Sequence, residues 1–165
     1  TVMSTLGLML AMREVGIKTV QTGVGDRYVL EEMLASGYSL GGEQSGHIIA
    51  RDYATTGDGI LSSLLISRMV KESGRSLTDL TSFIQRLPQT LINVGGVDRA
   101  AASTNEAVAA AVAAAEARLG DTGRVLLRPS GTEPLVRVMV EAATQEEAAP
   151  VAASLADVVK ENLAR

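Results

Sequence analysis

The sequence predicts an α/β layered domain followed by a small α+β domain whose helices lie on one face of an antiparallel sheet. Strand-like and helix-like segments alternate up to about residue 88. Pro88 and the Gly95-Gly96 pair then mark a change of character. Beyond them the order becomes strand, helix, strand, strand, helix, which suits a small two-layer unit. The domains are therefore expected at 1–88 and 89–165, joined near residues 88 to 96.

The elements follow from caps and periodicity. Thr1 to Thr5 is β-like; Leu8, Met9 and Met12 then recur at helical spacing up to Gly16, a left-handed stop. Lys18 to Thr22 alternates between Gly-bounded ends and predicts a strand. Asp26 is placed to cap a helix carrying Val29, Leu30, Met33 and Leu34 and ending at Gly37. Ser39 to Gly42 and His47 to Arg51 predict two strands around a Gly-rich turn. Asp58 precedes the strongest helical pattern, with Ile60, Leu61, Leu64, Leu65 and Met69 in one stripe and Gly74 beyond it. Ser76 opens a shorter helix with Leu77, Leu80, Ile84 and Leu87 on its apolar face. Ala100 to Leu119 predicts one alanine-rich helix, with Ser103 and Glu106 spaced as a capping box. Arg124 to Arg128 and Leu135 to Ala142 predict strands, and a last helix runs from about Thr144 to Leu163. Pro150 inside it predicts a kinked or separate first turn.

Composition narrows the function classes. The 165 residues carry a net charge of −4, one His, no Cys and no Trp. Absent cysteines exclude disulfides, thiolate metal sites and a cysteine nucleophile. The acidic balance and scarce aromatics argue against a nucleic-acid surface. Apolar runs such as Leu64-Leu65-Ile66 fall far short of the roughly 20 residues that span a bilayer. A cytoplasmic protein without nucleic-acid or membrane partners is expected, with a homo-oligomer left open. Because the first residue is Thr1 and no leader pattern is visible, the chain is expected to lack its natural beginning.

Three loops carry candidate chemistry. In Arg128-Pro129-Ser130-Gly131-Thr132-Glu133-Pro134, the guanidinium offers a planar donor fork suited to phosphate. Ser130 and Thr132 add hydroxyls, and Gly131 would let backbone N–H groups approach an oxyanion. If Arg128 lies opposite Leu135, Arg137 shares its face while Val136, Val138 and Val140 point to a core. Glu141 is then the carboxylate nearest them on that face. A phosphate clamp and a proline-bounded turn with Ser130 bonded locally both remain open.

In Gly41-Gly42-Glu43-Gln44-Ser45-Gly46-His47, donors and acceptors of the kind that read sugar hydroxyls lie between glycines. The loop misses a P-loop because His47 and Ile48 stand where Lys and Ser/Thr are required. It also misses the G-x-S-x-G elbow by one position. His47 is either structural or an acid–base candidate. The third loop, Gly23-Val24-Gly25-Asp26-Arg27-Tyr28, fails the dinucleotide fingerprint at Tyr28. Asp26 there is a cap and Arg27 a candidate ligand contact. No carboxylates have the short spacing that gathers magnesium ligands, so no metal site is expected in this chain.

Together these loops resemble the α-D-phosphohexomutases, above all their bacterial members acting on glucosamine phosphate. The likeness rests on Gly42-Glu43-Gln44-Ser45-Gly46-His47, Thr56-Gly57-Asp58-Gly59, Arg128 to Pro134 with Val136-Arg137-Val138, and Val24 to Val29. It covers nearly the whole chain and implies most of the third domain and all of the fourth in a four-domain enzyme with one cleft. By that resemblance Glu43, Ser45 and His47 contact the sugar. Arg128, Ser130, Gly131, Thr132 and Arg137 hold the phosphate that is not transferred, and Asp26 and Arg27 line the cleft. The family moves a phosphoryl group between a phosphoserine and either end of a hexose phosphate, with Mg2+ bound in the complete enzyme. Its phosphoserine and magnesium loops belong to the first and second domains and have no match here. The resemblance thus implies a hexosamine phosphate substrate, the missing N-terminal domains as partners, and a chain inactive alone. A mutase fragment specific for mannose or glucose phosphate, and a stand-alone sugar-phosphate-binding module, are the alternatives.

Overall fold

A computed structural model describes residues 1–165, which divide into two compact units, Thr1–Arg86 and Leu87–Arg165. In the first unit, helix α1 (Leu6–Glu14) starts where the Thr5 side chain accepts from the Leu8 N–H, and Gly16 follows it at φ 72°. Thr1 to Thr5 form turns instead of the expected strand. The expected strand over Lys18 to Thr22 is also absent. Val2 N–H reaches the Thr22 carbonyl at 2.9 Å, but no ladder runs alongside, and β propensity without a paired neighbour does not make a strand.

Helix α2 (Asp26–Ser36) ends at left-handed Gly37 and begins after Gly25, so Asp26 is its first residue and not its cap. Strands β1 (Leu40–Gly42) and β2 (Ile48–Ala50) pair antiparallel with Gly42 opposite Ile48, presenting residues 43–47 at the tip. Val29 and Met33 of α2 pack on Ile49, forming a small buried cluster. A side chain at Gly41 would collide with Met33 and Val29, so that glycine allows α2 to sit against the hairpin.

Helix α3 (Gly59–Ser73) begins at Asp58, whose carboxylate accepts from the N–H groups of Ile60 and Leu61 at 2.9 Å each. Its predicted apolar stripe is not buried: Ile60 is 78% and Leu64 64% exposed. Helix α4 (Leu77–Thr81) has a capping box between Ser76 and Asp79 and stops short of Ile84 and Leu87. Hydroxyls of Thr81 and Ser82 bond back to the carbonyls of Leu77 and Asp79, a local competition that favours termination there.

The second unit is a three-stranded antiparallel sheet, ordered β3-β5-β4, with helices on one face. Strand β3 (Gln89–Gly95) occupies much of the span expected to be a joint. The single helix expected from Ala100 is broken. Ala101–Ser103 form a 3-10 turn, and α5 (Glu106–Leu119) starts after Asn105, whose side chain accepts from Val108 N–H at 3.0 Å. Asn105 therefore supplies the cap assigned to Ser103, while buried Ala102 pins the turn.

Strands β4 (Arg124–Pro129) and β5 (Leu135–Glu141) form the hairpin, and α6 (Gln145–Leu163) follows a Thr144 cap. Pro150 sits within α6 without dividing it. The ring forfeits one backbone bond, and buried Ala148, Val151 and Ala152 hold that turn in place. Val136, Val138 and Val140, all fully buried, face Ala152, Leu155, Ala156 and Val159 of α6, whose i, i+3, i+4, i+7 spacing makes one apolar stripe.

Candidate functional site

The outer face of the second sheet is built in rows across its strands. One row is Gln89, Glu141 and Arg124; the next is Leu91, Met139 and Leu126; the last, beside the 129–134 loop, is Asn93, Arg137 and Arg128. Arg128 therefore lies directly opposite Arg137, not opposite Leu135 as expected. The strand β4 ladder extends to Pro129 opposite Val136, and the Ser130 N–H reaches the Leu135 carbonyl at 2.9 Å, which fixes this register.

Two guanidinium groups in direct cross-strand positions repel one another, so the pair calls for an anion or a nearby carboxylate. The Arg128 side chain has neither an ion pair nor a hydrogen bond within the protein; only its backbone is paired, in the ladder with β5. Arg137 Nη2 meets Glu133 Oε2 at 2.7 Å, while its buried Nε has no partner. Glu141 does not serve these arginines: it is 1% exposed and pairs with Arg124 at 2.7 Å, at the far end of the same face.

The loop between the strands is held from outside the motif. Arg99 Nη1 donates to the carbonyls of Ser130 and Glu133 at 3.0 and 3.3 Å. The Ser130 hydroxyl accepts from Glu133 N–H at 3.2 Å, the local turn bond weighed above, and Ser130 is only 4% exposed. Gly131 and Thr132 are exposed at the tip. Gly131 has no positive φ, and nothing lies near where its Cβ would be. Neither conformation nor packing within the chain requires a glycine there; close approach of a ligand to its backbone would.

The β1–β2 tip in the first unit gathers Glu43, Ser45 and His47. Glu43 Oε1 accepts from Ser45 Oγ at 2.7 Å and lies 3.0 Å from His47 Nδ1, itself 3.0 Å from Ser45 Oγ. The second carboxylate oxygen accepts from Gly25 N–H at 3.2 Å, just before α2. No side chain caps the first turn of α2, whose Tyr28 and Val29 N–H groups bond to the Gly25 carbonyl, so Glu43 holds the residue before the helix and not its first turn. The hydrogen bonds from Ser45, then His47, hold the Glu43 carboxyl below the ordinary carboxylate range. Because Ser45 gives its proton to the carboxylate, the imidazole does not activate it as a nucleophile. With a proton on Nδ1 bonded to Glu43, neutral His47 offers Nε2 as an acceptor. Gly57 makes room for this imidazole: a Cβ there would lie 3.1 Å from the His47 Cβ.

Arg27 pairs with Glu31 one turn along α2 at 2.8 Å, and Asp26 is exposed at the start of that helix. No group of three or more Asp, Glu, His or Cys side chains is placed to hold a metal, so these residues do not fit a magnesium site. No helix is long and apolar enough to cross a membrane.

Sequence reasoning overlooked Arg99, Asn93 and the role of Glu133. Arg99 is separated from Ser130 by 31 positions, and no local pattern links them. For Glu133 the i, i+4 separation from Arg137 was a usable signal.

Residues 1–87 match the family model described as phosphoglucomutase/phosphomannomutase, alpha/beta/alpha domain III. The chain belongs to the phosphoglucomutase/phosphomannomutase family. Residues 91–158 match the C-terminal domain of the same family. Among its curated relatives, the phosphoglucosamine mutase of Bifidobacterium animalis subsp. lactis (strain AD011) is 65% identical over 99% of this chain and 36% of its own length. The phosphoglucosamine mutase of Thermobifida fusca (strain YX) is 61% identical over the same shares. The chain thus spans about a third of the length of the curated relatives it matches, in keeping with family domains III and IV. Among solved structures, an N-acetylphosphoglucosamine mutase of Aspergillus fumigatus aligns with a TM-score of 0.79 at 20% identity, covering 95% of this chain and 36% of its own. An N-acetylglucosamine-phosphate mutase in its substrate complex gives 0.78 at 22% identity, covering 97% and 38%. At those identities the likeness is one of fold.

Proposed function

We propose that the chain supplies the sugar-reading and phosphate-holding portions of a phosphoglucosamine mutase, which interconverts glucosamine-6-phosphate and glucosamine-1-phosphate through a phosphoserine. One observation carries the reading: Arg128 and Arg137 stand directly opposite one another, with Arg128 unpaired. A phosphate between them neutralises two like charges and gains charge-assisted hydrogen bonds. The exposed Gly131 and Thr132 backbone adds N–H donors at the tip, and Ser130 holds the turn in shape. In the other unit, Glu43 and the Nε2 of His47 offer acceptors to sugar hydroxyls, and Ser45 keeps the carboxylate in place. The chemistry asked of these residues is positioning and charge neutralisation.

Three further points belong to this reading. The names of the relatives support the glucosamine specificity. The transferring serine and a magnesium site are assigned to the segments of the longer relatives outside this chain's span. Magnesium, present together with GlcNAc-6P in one A. fumigatus N-acetylphosphoglucosamine mutase structure, would neutralise charge on the transferring phosphoryl group in those segments. The compartment is the cytoplasm.

Titration of the 165-residue chain with inorganic phosphate and glucosamine-6-phosphate, followed calorimetrically, tests the reading. Arg128→Ala should weaken both ligands by roughly ten- to a hundredfold, the equivalent of about 1.5–3 kcal/mol for hydrogen bonds to a charged group. Unchanged titration would refute the clamp. Mutase turnover by the chain alone would refute the assignment of the transfer step to other segments.

A further inference from the structure

We infer that Glu133 is a resident occupant of the phosphate site, a specificity-determining carboxylate that an incoming phosphate displaces from Arg137. The inference rests on the clamp reading above and goes beyond it. Glu133 engages the arginine through one oxygen and one nitrogen, Oε2 to Nη2 at 2.7 Å. The adjacent Nε is buried and unpaired. Nε–H and Nη2–H form one edge of a guanidinium, the edge that takes two oxygens of a phosphate side by side. Glu133 therefore fills half of that edge and leaves a buried donor unsatisfied, which buried polar groups in proteins rarely are.

The rest of Glu133 is anchored. Its N–H is held by the Ser130 hydroxyl and its carbonyl by Arg99, so the side chain can swing out while the loop keeps its shape. Its side chain is 54% exposed and has solvent to move into. The exchange favours one class of ligand. A phosphate that reaches both Arg137 and Arg128 replaces the lost pair and adds a second guanidinium. A small monoanion such as chloride reaches one arginine and must still break the pair with Glu133. The carboxylate thus screens Arg137 from ordinary anions and yields to a phosphate bridging both arginines.

The experiment uses inorganic phosphate on the 165-residue chain and its Glu133→Gln variant, with the fold checked by circular dichroism. Removing a half-exposed ion pair that competes with the ligand should tighten phosphate binding by about two- to fivefold. Chloride should compete better against phosphate in the variant than in the parent chain. A second readout needs no variant: with 13C-carboxyl-labelled glutamate, the Glu133 signal should move in step with phosphate saturation. Unchanged or weaker binding by Glu133→Gln, or a stationary carboxyl signal while phosphate binds, overturns the inference. Phosphate binding that ignores Arg128→Ala would instead overturn the clamp itself, so the two failures are told apart.

Discussion

Arg124 and Arg128 lie four residues apart on the same face of β4, yet removing their charges should move stability in opposite directions. Substitution by Met keeps the apolar stem and deletes the guanidinium. Arg124 is 15% exposed and holds Glu141, itself 1% exposed, at 2.7 Å. Arg124→Met strands a buried carboxylate, which costs about 3–5 kcal/mol. For a unit of this size that lowers the unfolding midpoint by about 12 °C or more. Arg128 faces Arg137 and has no partner to abandon. Arg128→Met removes a like-charge opposition worth roughly 0.2–1 kcal/mol, raising the midpoint by about 1–8 °C. Thermal unfolding of the parent and both variants at one pH and low salt decides the matter. A fall for Arg128→Met comparable to that for Arg124→Met would show that Arg128 is a structural residue, and the case for an anion at that position would collapse.

Two further outcomes concern the first unit. Glu43 has a folded-state pKa below its ordinary 4.5, so the hydrogen-bonded tip is stabilised above pH 4.5 and loses that contribution as pH falls through the lower, folded value. Ser45→Ala should raise the Glu43 pKa towards 4.5, measured from its side-chain carboxyl resonance; a value that stays put would mean Ser45 does not hold the carboxylate. Gly57→Ala puts a methyl carbon 3.1 Å from the His47 Cβ and 3.3 Å from its Cδ2, at a backbone angle any residue adopts. It should displace the imidazole signals at a stability cost of about 1 kcal/mol; an unmoved imidazole would deny Gly57 its part in placing His47.

Much of the local structure was legible because caps and stops act within a few residues. Asp58, Ser76 and Thr144 each begin a helix as their side-chain chemistry predicts, and Gly37 and Gly74 end theirs in the left-handed conformation. The β4–β5 hairpin and the burial of Val136, Val138 and Val140 also follow from alternation alone. Misreadings arise where a distant group competes with the local one. Asp26 falls one residue inside α2 because Gly25, held through its N–H by the carboxylate of Glu43 18 residues away, takes the position before the helix. Ser103 loses α5 to Asn105 because Ala102 is drawn into the core. Lys18 to Thr22 has the composition of a strand and no ladder beside it.

By itself, then, the sequence singled out the candidate polar residues of two hairpin tips and the alternation that sets Val136, Val138 and Val140 on one face of β5 and Arg137 on the other. Side-chain alternation along a strand is a property of the backbone, so the division of β5 into two faces needed no neighbours to be known. Only tertiary structure decided how the charges are distributed across the outer face. The register that sets Arg128 against Arg137, the pairing of Arg124 with Glu141 and the hold of Arg99 on the loop all depend on groups distant in sequence. Those are non-local contacts, and a shift of one residue between β4 and β5 would turn Arg124 and Arg128 to the face away from Glu141 and Arg137.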